Sequence, residues 1–406
     1  MPFRISLLLL SLIFETSWAQ QDSSKVATKP KNEKDLIDVG IKISAKYLKK
    51  SFIKRDTTGK KAGKIYFSGS PAIGYSLTSG WVGLVVANGA FYTSSDKAAK
   101  ISNIYTDALY TQEKQTVIHL QSNIWTKGNR YNIINDWRFY NYPQKTYGLG
   151  TDTHRSNFAD QTFNYIRLSQ TVLRSIKSNL YAGMGYSLDY HWDIPLNPDG
   201  DLGVISQINT YGINSQSMSS GLIANLLFDN RLNSINPAKG SYANIIYRNN
   251  LTSLGSNNSW QSLLVDLRQY VPFPRHSENV LAFWSYNWLT LGGNPPYLDL
   301  PSTGWDPYGN TGRGYIQGRF RSKNMIYLEA EYRFKILSSG LLGGVVFANA
   351  QSFSNWPSNT FQSIAPAAGL GMRIKFNKYS RTNIAIDYGF GQGGSQGFFV
   401  NLGEVF

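Results

Sequence analysis

The feature that most constrains the fold of this chain is an alternation of apolar and polar side chains with a period of two residues. In the segment NMIYLEAEYRF, one face carries Ile326, Leu328, Ala330, Tyr332 and Phe334, and the other carries Met325, Tyr327, Glu329, Glu331 and Arg333. Such alternation predicts β-strands with one apolar face. Charged residues recur on the second face, which indicates that this face meets water. A β-sandwich with its apolar face inside and a membrane barrel with its apolar face outside both fit the pattern.

The N-terminal residues favour the barrel because they resemble a secretory signal peptide. Arg4 provides a positive start, an apolar run covers residues 8–14, and the tripeptide SWA offers small residues at the expected cleavage spacing. We therefore predict a signal peptide at residues 1–19, the alternative being a buried strand or helix. No apolar stretch of about 18 or more residues follows, so the sequence predicts no transmembrane helix in the mature chain.

The composition fits a barrel whose outer face contacts lipid. Charged residues make up 16% of the chain and aromatic residues 14%, with 37 glycines, as expected of an apolar band between aromatic girdles. Strand-and-loop units of about 21 residues divide residues 65–406 into about 16 strands. We predict an all-β, antiparallel transmembrane β-barrel over residues 65–406 in a bacterial outer membrane, with the N-terminus in the periplasm.

The last ten residues, GFFVNLGEVF, support the same prediction. Phe398, Val400 and Leu402 alternate with other residues before the final Phe406. An amphipathic last strand with an aromatic C-terminus resembles the signal that outer-membrane assembly machinery reads. The chain contains no cysteine, which excludes disulfides and thiolate metal sites.

A basic leader, residues 20–64, precedes the predicted barrel. It carries 13 Lys/Arg against 5 Asp/Glu, in a chain whose net charge is +15. Four apolar residues of the leader follow a helical stripe: Ile37, Ile41, Leu48 and Phe52. Residues 39–47 also alternate as a strand would, but we favour a short amphipathic helix. The charge suggests contact with anionic lipid head groups, polyanions or an acidic partner, and a solvated linker is the alternative.

The motifs that resemble catalytic ones are better explained as turns. The segments GFGQGG and GGSQG, within residues 389–397, match a dinucleotide fingerprint and a hydrolase motif in letters only, because they join two strands and no helix follows. The four histidines, His119, His154, His191 and His276, lack metal-ligand spacing. We predict no catalytic residue, no metal and no cofactor. The basic residues form no recognisable nucleic-acid platform, so we predict no nucleic-acid partner.

One tetrad carries a more specific signal. A long loop, residues 292–320, ends in Gly312, Arg313, Gly314 and Tyr315. This resembles the signature of the outer-membrane superfamily that comprises BamA/TamA-type insertases and two-partner-secretion transporters, in which the sixth extracellular loop ends in Arg-Gly-Phe/Tyr and folds into the lumen of a sixteen-stranded barrel. Four other segments resemble the same superfamily in order: the strand end Asp229-x-Arg231, the turn from Asn236-Pro237 to Gly240, the strand with Glu331, and the closing strand.

The resemblance implies that Arg313 reaches the inner wall of the barrel. A planar guanidinium is tolerated there when carboxylates meet it bidentately, and the implied partner is Glu331, assisted by Glu329. Asn349 stands where the family has an aspartate. An asparagine can accept a hydrogen bond from the arginine but cannot neutralise it, so a weaker or relocated lock is expected.

The resemblance also implies a function. Insertases of the family carry periplasmic polypeptide-transport-associated (POTRA) domains, and residues 20–64 are too few for one, so the chain resembles a barrel-only branch. Insertion or translocation of proteins would use the seam between the first and last strands, with outer-membrane lipid or lipopolysaccharide around it and a periplasmic or outer-membrane protein as partner. The alternative is a pore or structural barrel subunit of a larger envelope complex that has lost insertase activity.

Overall fold

The computed structural model describes residues 33–47, 62–76, 80–96, 99–231, 233–378 and 380–406. The predicted signal peptide, residues 1–19, and most of the basic leader lie outside the described residues. Within the described part of the chain, no helix is long and apolar enough to cross a membrane.

Eighteen strands are formed by the described residues. They are β1 Ile65–Ser76, β2 Gly80–Phe91, β3 Ser102–Thr111, β4 Thr116–Trp125, β5 Tyr131–Asn141, β6 Gln144–Thr146, β7 Ala159–Gln161, β8 Asn164–Lys177, β9 Leu180–Trp192, β10 Ser217–Asp229, β11 Gly240–Asn250, β12 Trp260–Pro272, β13 Val280–Gly293, β14 Asn324–Lys335, β15 Leu342–Phe353, β16 Ala365–Asn377, β17 Thr382–Gly391 and β18 Gln396–Leu402.

Sixteen of these strands form one antiparallel sheet in which each pairs with the next along the chain, and β6 and β7 form a separate hairpin. The predicted large β-barrel of about 16 antiparallel strands is confirmed. Cα atoms of β1 and β18 come within 8 Å of one another. In the described residues, however, no ladder joins these two strands. We call the line between them the seam.

The alternation in sequence determines which face of each strand points into the lumen. In β14, Leu328 is 38% exposed on the outer face, whereas its neighbours Glu329 and Glu331 are buried. In β17, Phe390 is exposed, and Asp387 is buried on the inner face. Successive Cβ atoms of a strand point to opposite faces, so a polar lumen and an apolar exterior follow directly from the pattern.

An even number of strands brings both described ends of the chain to the same end of the barrel. We call this end the terminal rim; it includes the β14–β15 turn, residues 336–341, and the β16–β17 turn, residues 378–381. Long loops cover the opposite end. Helix α2, Leu202–Tyr211, belongs to one of them and is capped by Asp201, whose side chain accepts a hydrogen bond from the Val204 backbone N (3.0 Å).

Two further segments position the candidate site. Residues 294–323, which we call the lumenal loop, fold inward, and the predicted inward loop is confirmed by the complete burial of Arg313. Helix α1, Leu36–Tyr47, lies in the leader and includes Ile37 and Ile41 of the predicted stripe, whereas Leu48 and Phe52 lie outside the described residues. Its N-terminal end contacts the terminal rim.

Candidate functional site

The tetrad predicted from sequence forms a tight bend of the lumenal loop. Gly312 and Gly314 have φ angles of +79° and +105°, which L side chains rarely adopt. Space is also lacking: a Cβ on Gly312 would lie 2.5 Å from the Thr303 methyl carbon, and one on Gly314 would lie 2.8 Å from the Ala367 Cβ. The two glycines therefore allow the loop backbone to lie directly on the inner wall.

Arg313 projects from this bend into a cluster of carboxylates. Its Nη1 donates to Asp387 Oδ2 (2.5 Å), and its Nη2 donates to Glu331 Oε2 (2.9 Å) and to Glu329. Its guanidinium also lies 3.8 Å from the ring centroid of Phe347, a cation–π contact. The side chain is 0% exposed. The predicted partners Glu331 and Glu329 are thus brought together with Arg313, and Asp387 joins them.

Asn349 contacts the loop in a different way from the one expected. Its Nδ2 donates to the backbone carbonyl oxygen of Arg313 (2.9 Å), whereas the sequence led us to expect that its amide oxygen would accept a hydrogen bond from the guanidinium. Asparagine can make this contact because it is a donor as well as an acceptor, and a carboxylate could not. The carboxylate missing from β15 is supplied by Asp387 on β17.

Further arginines and a glutamate extend the network along the wall. Arg333 Nη2 donates to Glu331 Oε1 (2.8 Å), Arg373 Nη1 donates to Asp387 Oδ1 (2.5 Å), and Arg373 Nε donates to Glu404 Oε2 (2.7 Å). We define the lumenal charge cluster as the guanidiniums of Arg313, Arg333 and Arg373 and the carboxylates of Glu329, Glu331, Asp387 and Glu404. Three positive and four negative groups alternate, so each buried charge has an opposite neighbour.

On β17, the wall beneath the bend is formed by glycines, which have no side chains. A Cβ on Gly389 would lie 2.6 Å from the Gly314 N, and one on Gly391 would lie 2.8 Å from the Gly314 O. Tyr315, the last residue of the tetrad, donates its hydroxyl to the Pro366 carbonyl oxygen (2.6 Å) and accepts the Gln392 N–H (3.0 Å). The loop thereby reaches the β17–β18 turn next to the seam.

Near its C-terminal end, the lumenal loop holds two arginines, and among the described residues their hydrogen-bond acceptors are carbonyl and hydroxyl oxygens rather than carboxylates. Arg321 Nη1 donates to the carbonyl oxygens of Tyr297 and Leu298, both at 3.1 Å. Arg319 donates to Thr153 Oγ1 (2.7 Å) and to the Thr153 carbonyl oxygen (2.5 Å). Burial lowers the pKa of Arg319 to about 10 and also lowers the pKa of Arg321.

Asp299 anchors the start of the lumenal loop to the wall. Its Oδ2 accepts a hydrogen bond from Ser219 Oγ (2.5 Å), and its Oδ1 lies 3.6 Å from His191 Nδ1. Burial and, secondarily, the nearby Asp189 carboxylate raise the pKa of Asp299 to about 7. This carboxyl group is therefore the loop residue that titrates near neutral pH.

The strand-and-turn motif lies at the terminal rim rather than beside Arg313. Arg231 Nε and Nη2 donate to the two carboxylate oxygens of Asp229 (2.9 and 3.0 Å). Gly240 has a φ of +115° and begins β11, and Pro237 is buried in the turn. This turn crosses to the far wall, where Asn236 Nδ2 donates to the Arg381 carbonyl oxygen (3.2 Å).

The C-terminal signal residues separate into two groups. Phe398 and Val400 are 52% and 55% exposed on the outer face of β18, and Leu402 ends the strand, half-buried. Phe406 is not on the strand: the chain turns inward after Leu402, and the Phe406 ring stacks on Trp284 at 5.1 Å between centroids. The side chain of Phe406 is 3% exposed.

Sequence reasoning missed several contributors to the site: Asp387, Arg333, Arg373, Glu404, Phe347 and the glycine surface of β17. Asp387 stands on the polar face of the alternating segment TNIAIDYGF, which placed it in the lumen without indicating its partner. Arg333 was on the polar face of β14 in the same way. The described residues contain no group of three or more His, Asp or Glu arranged to hold a metal ion.

Comparison with known proteins identifies the fold. No protein-family model matches the chain, and no curated protein matches it. Solved structures do match. The structure of BamA from Haemophilus ducreyi lacking POTRA domains 1–3 matches over 82% of this chain and 70% of that chain, with a TM-score of 0.53 and 16% identity.

Two structures of CdiB also match. The match with CdiB from Acinetobacter baumannii spans 84% of this chain and 66% of that chain, with a TM-score of 0.52 and 13% identity. The match with CdiB from Escherichia coli spans 80% of this chain and 59% of that chain, with a TM-score of 0.53 and 12% identity. This chain has the fold of the BamA- and CdiB-type barrels, as its sequence motifs implied.

Proposed function

We propose that this protein is an outer-membrane β-barrel that inserts proteins into the outer membrane or moves them across it. The observation that carries the proposal is the position of Arg313, which clasps the lumenal loop to β14 and β17, one strand away from the seam. The likeness in fold to BamA and CdiB barrels supports the same class of function.

In this proposal the seam is the part of the barrel that acts on the incoming protein. An edge strand presents backbone donors and acceptors that can pair with an incoming strand. The lumenal charge cluster ties β14, β16 and β17 together through Arg313 and Arg373. Separation would then be confined to β18 and β1, and the rest of the wall would stay intact.

The same proposal assigns the surroundings of the barrel. The terminal rim faces the periplasm and the loop-covered end faces outward. Outward apolar side chains such as Leu370 and Val400, which are 61% and 55% exposed, contact lipid or the acyl chains of lipopolysaccharide. A periplasmic or outer-membrane protein delivers the client. The chain performs no catalysis and needs no cofactor.

A disulfide across the seam tests this function. The natural chain has no cysteine, so one cysteine in β1 and one in β18 can be joined by oxidation without competing thiols. A matched control joins Ala87 to Thr106, which face each other in the β2–β3 ladder. We expect the seam disulfide to stop insertion of a labelled barrel protein into vesicles that contain this chain, reduction to restore insertion, and the control disulfide to have no effect. If the labelled barrel protein were inserted at the normal rate while the seam disulfide is intact, the result would contradict the proposal.

A pore or structural barrel subunit is the second candidate. The structural role is favoured by the filling of the lumen, because the lumenal loop and a hydrophobic cluster of the far-end loops, including Tyr142, Phe163, Ile208 and Leu300, occupy the barrel mouth. Steady conductance in planar bilayers would support a pore. No conductance, together with normal insertion of other barrels after depletion of this protein, would support a structural role.

A further inference from the structure

Helix α1 is attached to the β16–β17 turn by its first residues. The backbone N–H of Lys378 donates to Asp35 Oδ2 (2.9 Å), and Lys378 Nζ donates to Asp38 Oδ2 (3.0 Å) and to the Glu33 carbonyl oxygen (2.9 Å). Asp35 is fully buried by these contacts. A single lysine of the rim therefore binds the start of the helix through both its main chain and its side chain.

The β14–β15 turn contacts the same helix start from the other side. The backbone N–H of Lys34 donates to the Ser339 carbonyl oxygen (2.9 Å). The ammonium groups of Lys335 and Lys375 lie 3.8 and 3.7 Å from the Glu33 carboxylate. Residues 33–38 are thus enclosed between two neighbouring hairpin turns of the terminal rim.

The carboxylates that bind the rim also begin the helix. Asp35 Oδ1 accepts the Asp38 N–H (2.8 Å), and Asp38 Oδ2 accepts the Asp35 N–H (3.2 Å). This is a reciprocal capping arrangement. Acidic side chains are also favoured in the first turn of a helix by its dipole. The rim therefore recognises a particular structure, a helix whose first turn reads Asp-x-x-Asp.

The attachment is polar and small, which makes it reversible. Of residues 33–42, Asp35 is the one with a buried side chain. Partly exposed ion pairs are individually weak and are screened by salt. Residues 48–61 connect α1 to the first strand, and at about 3.5 Å per residue they can span roughly 50 Å. Helix α1 can therefore leave the rim while β1 remains folded.

We propose that the rim surface formed by Lys335, Lys375, Lys378 and the Ser339 carbonyl is a docking site for the acidic helix start of a partner protein, and that α1 occupies this site in the free chain. Among the described residues, residues 33–38 supply the hydrogen bonds and ion pairs named above, so a helix with the same first turn presents the same groups. The excess positive charge of the chain favours an acidic partner. The partner binds by displacing α1. This inference goes beyond the proposed function and does not depend on the seam.

The tether determines how strongly α1 competes. Covalent linkage through a short segment gives an effective concentration on the order of millimolar. For an external helix of the same sequence with a Kd of about 0.1 mM, the attached copy weakens apparent binding about tenfold. Removing the acidic groups of α1 should remove this competition.

Fluorescence anisotropy with the full chain in detergent micelles tests the docking site. The probe is a labelled peptide with the sequence of residues 31–47. We expect the D35N/D38N chain to bind the probe about tenfold more tightly than the natural chain, and the D35N/D38N/K375E/K378E chain to bind it at least tenfold more weakly than the D35N/D38N chain. A K177E chain, altered at another turn of the same rim, should bind the probe as the natural chain does. A probe with asparagine at both aspartate positions should bind none of them.

Each result decides for or against the site. Equal binding of the probe by the natural and D35N/D38N chains would overturn the proposal, as would binding that the K375E/K378E change leaves intact. Loss of binding in K177E would mean general attraction to a basic rim and would also overturn it. Heat-dependent migration on gels verifies that every variant is folded. The single change K378A, added to the D35N/D38N chain, removes one side chain and keeps the turn, and we expect it to lower the affinity of that chain for the probe severalfold.

Discussion

The lumenal loop buries arginines in two different electrostatic surroundings, one at its bend and one near its C-terminal end. At the bend, Arg313 lies among three carboxylates drawn from two strands. Near the C-terminal end, Arg319 and Arg321 donate to carbonyl and hydroxyl oxygens, and burial lowers the pKa of both. A guanidinium can therefore be buried in this barrel by charge pairing or by neutral acceptors.

The difference indicates a difference in role. A buried charge pair couples distant strands, because removal of one member leaves the other uncompensated. Carbonyl acceptors shape the loop locally, and loss of the arginine leaves only unpaired neutral groups. We infer that Arg313 connects the loop to the wall near the seam, whereas Arg321 stabilises the folded form of the loop itself and Arg319 joins it to the segment that carries Thr153.

The largest expected effect comes from removing Arg313. The substitution Arg313→Met leaves Glu329, Glu331 and Asp387 with only two guanidiniums, and breaking a buried pair costs about 3–5 kcal/mol. Urea unfolding of the chain folded into lipid vesicles measures this free energy of unfolding. Arg275→Met, in an exposed turn, serves as the control and should change it by less than about 0.5 kcal/mol. A loss below about 1 kcal/mol for Arg313→Met would contradict the role assigned to Arg313, which is to hold the lumenal loop to the wall.

A smaller effect is expected when Arg313 and its carboxylate partners are kept and a glycine of the β17 wall is replaced. In Gly389→Ala the added methyl would lie 2.6 Å from the Gly314 N, so the loop must lift away, at about 1–3 kcal/mol. Trypsin cleavage after the loop arginines should accelerate because they become accessible. Gly83→Ala is a matched control, since a Cβ there meets nothing within 4 Å. Equal cleavage rates in both variants would show that the bend does not require glycine at position 389.

Replacement of Arg321 compares the two arginine environments of the loop directly. Arg321→Met loses two hydrogen bonds to carbonyl oxygens but leaves no carboxylate unpaired, so we expect a loss of about 1–2 kcal/mol. The same urea unfolding experiment applies, with Arg313→Met beside it. If the two methionine variants lost equal stability, the distinction between charge pairing and neutral acceptors would have no energetic meaning here.

The smallest effect concerns pH. Because the pKa of Asp299 is raised to about 7 in the folded chain and an unfolded aspartate titrates near 3.9, the folded state holds the proton more tightly. The stability it contributes is complete below pH about 4 and is lost as the pH rises to about 7. Between pH 5 and 8 the natural chain should lose at least about 1 kcal/mol more than Asp299→Asn. Parallel curves for the two chains would show that Asp299 does not titrate in this range.

Much of the fold could be predicted from local patterns. Alternation placed Glu329, Glu331 and Asp387 on lumenal faces because side-chain direction in a strand depends only on odd or even position. The tetrad pointed to Arg313 through its resemblance to the superfamily signature, which implied that the loop enters the lumen.

The sequence by itself determined the class of fold and the polar lumen, since these follow from period-two patterning, and the resemblance of its tetrad to a known signature indicated the arginine that enters the lumen. Only the tertiary structure decided which acids meet Arg313, how Asn349 contacts the loop, where Phe406 lies and what α1 contacts. Those contacts join residues far apart in the chain, and their choice depends on strand register and on the path of a loop across the lumen. No local pattern encodes either quantity.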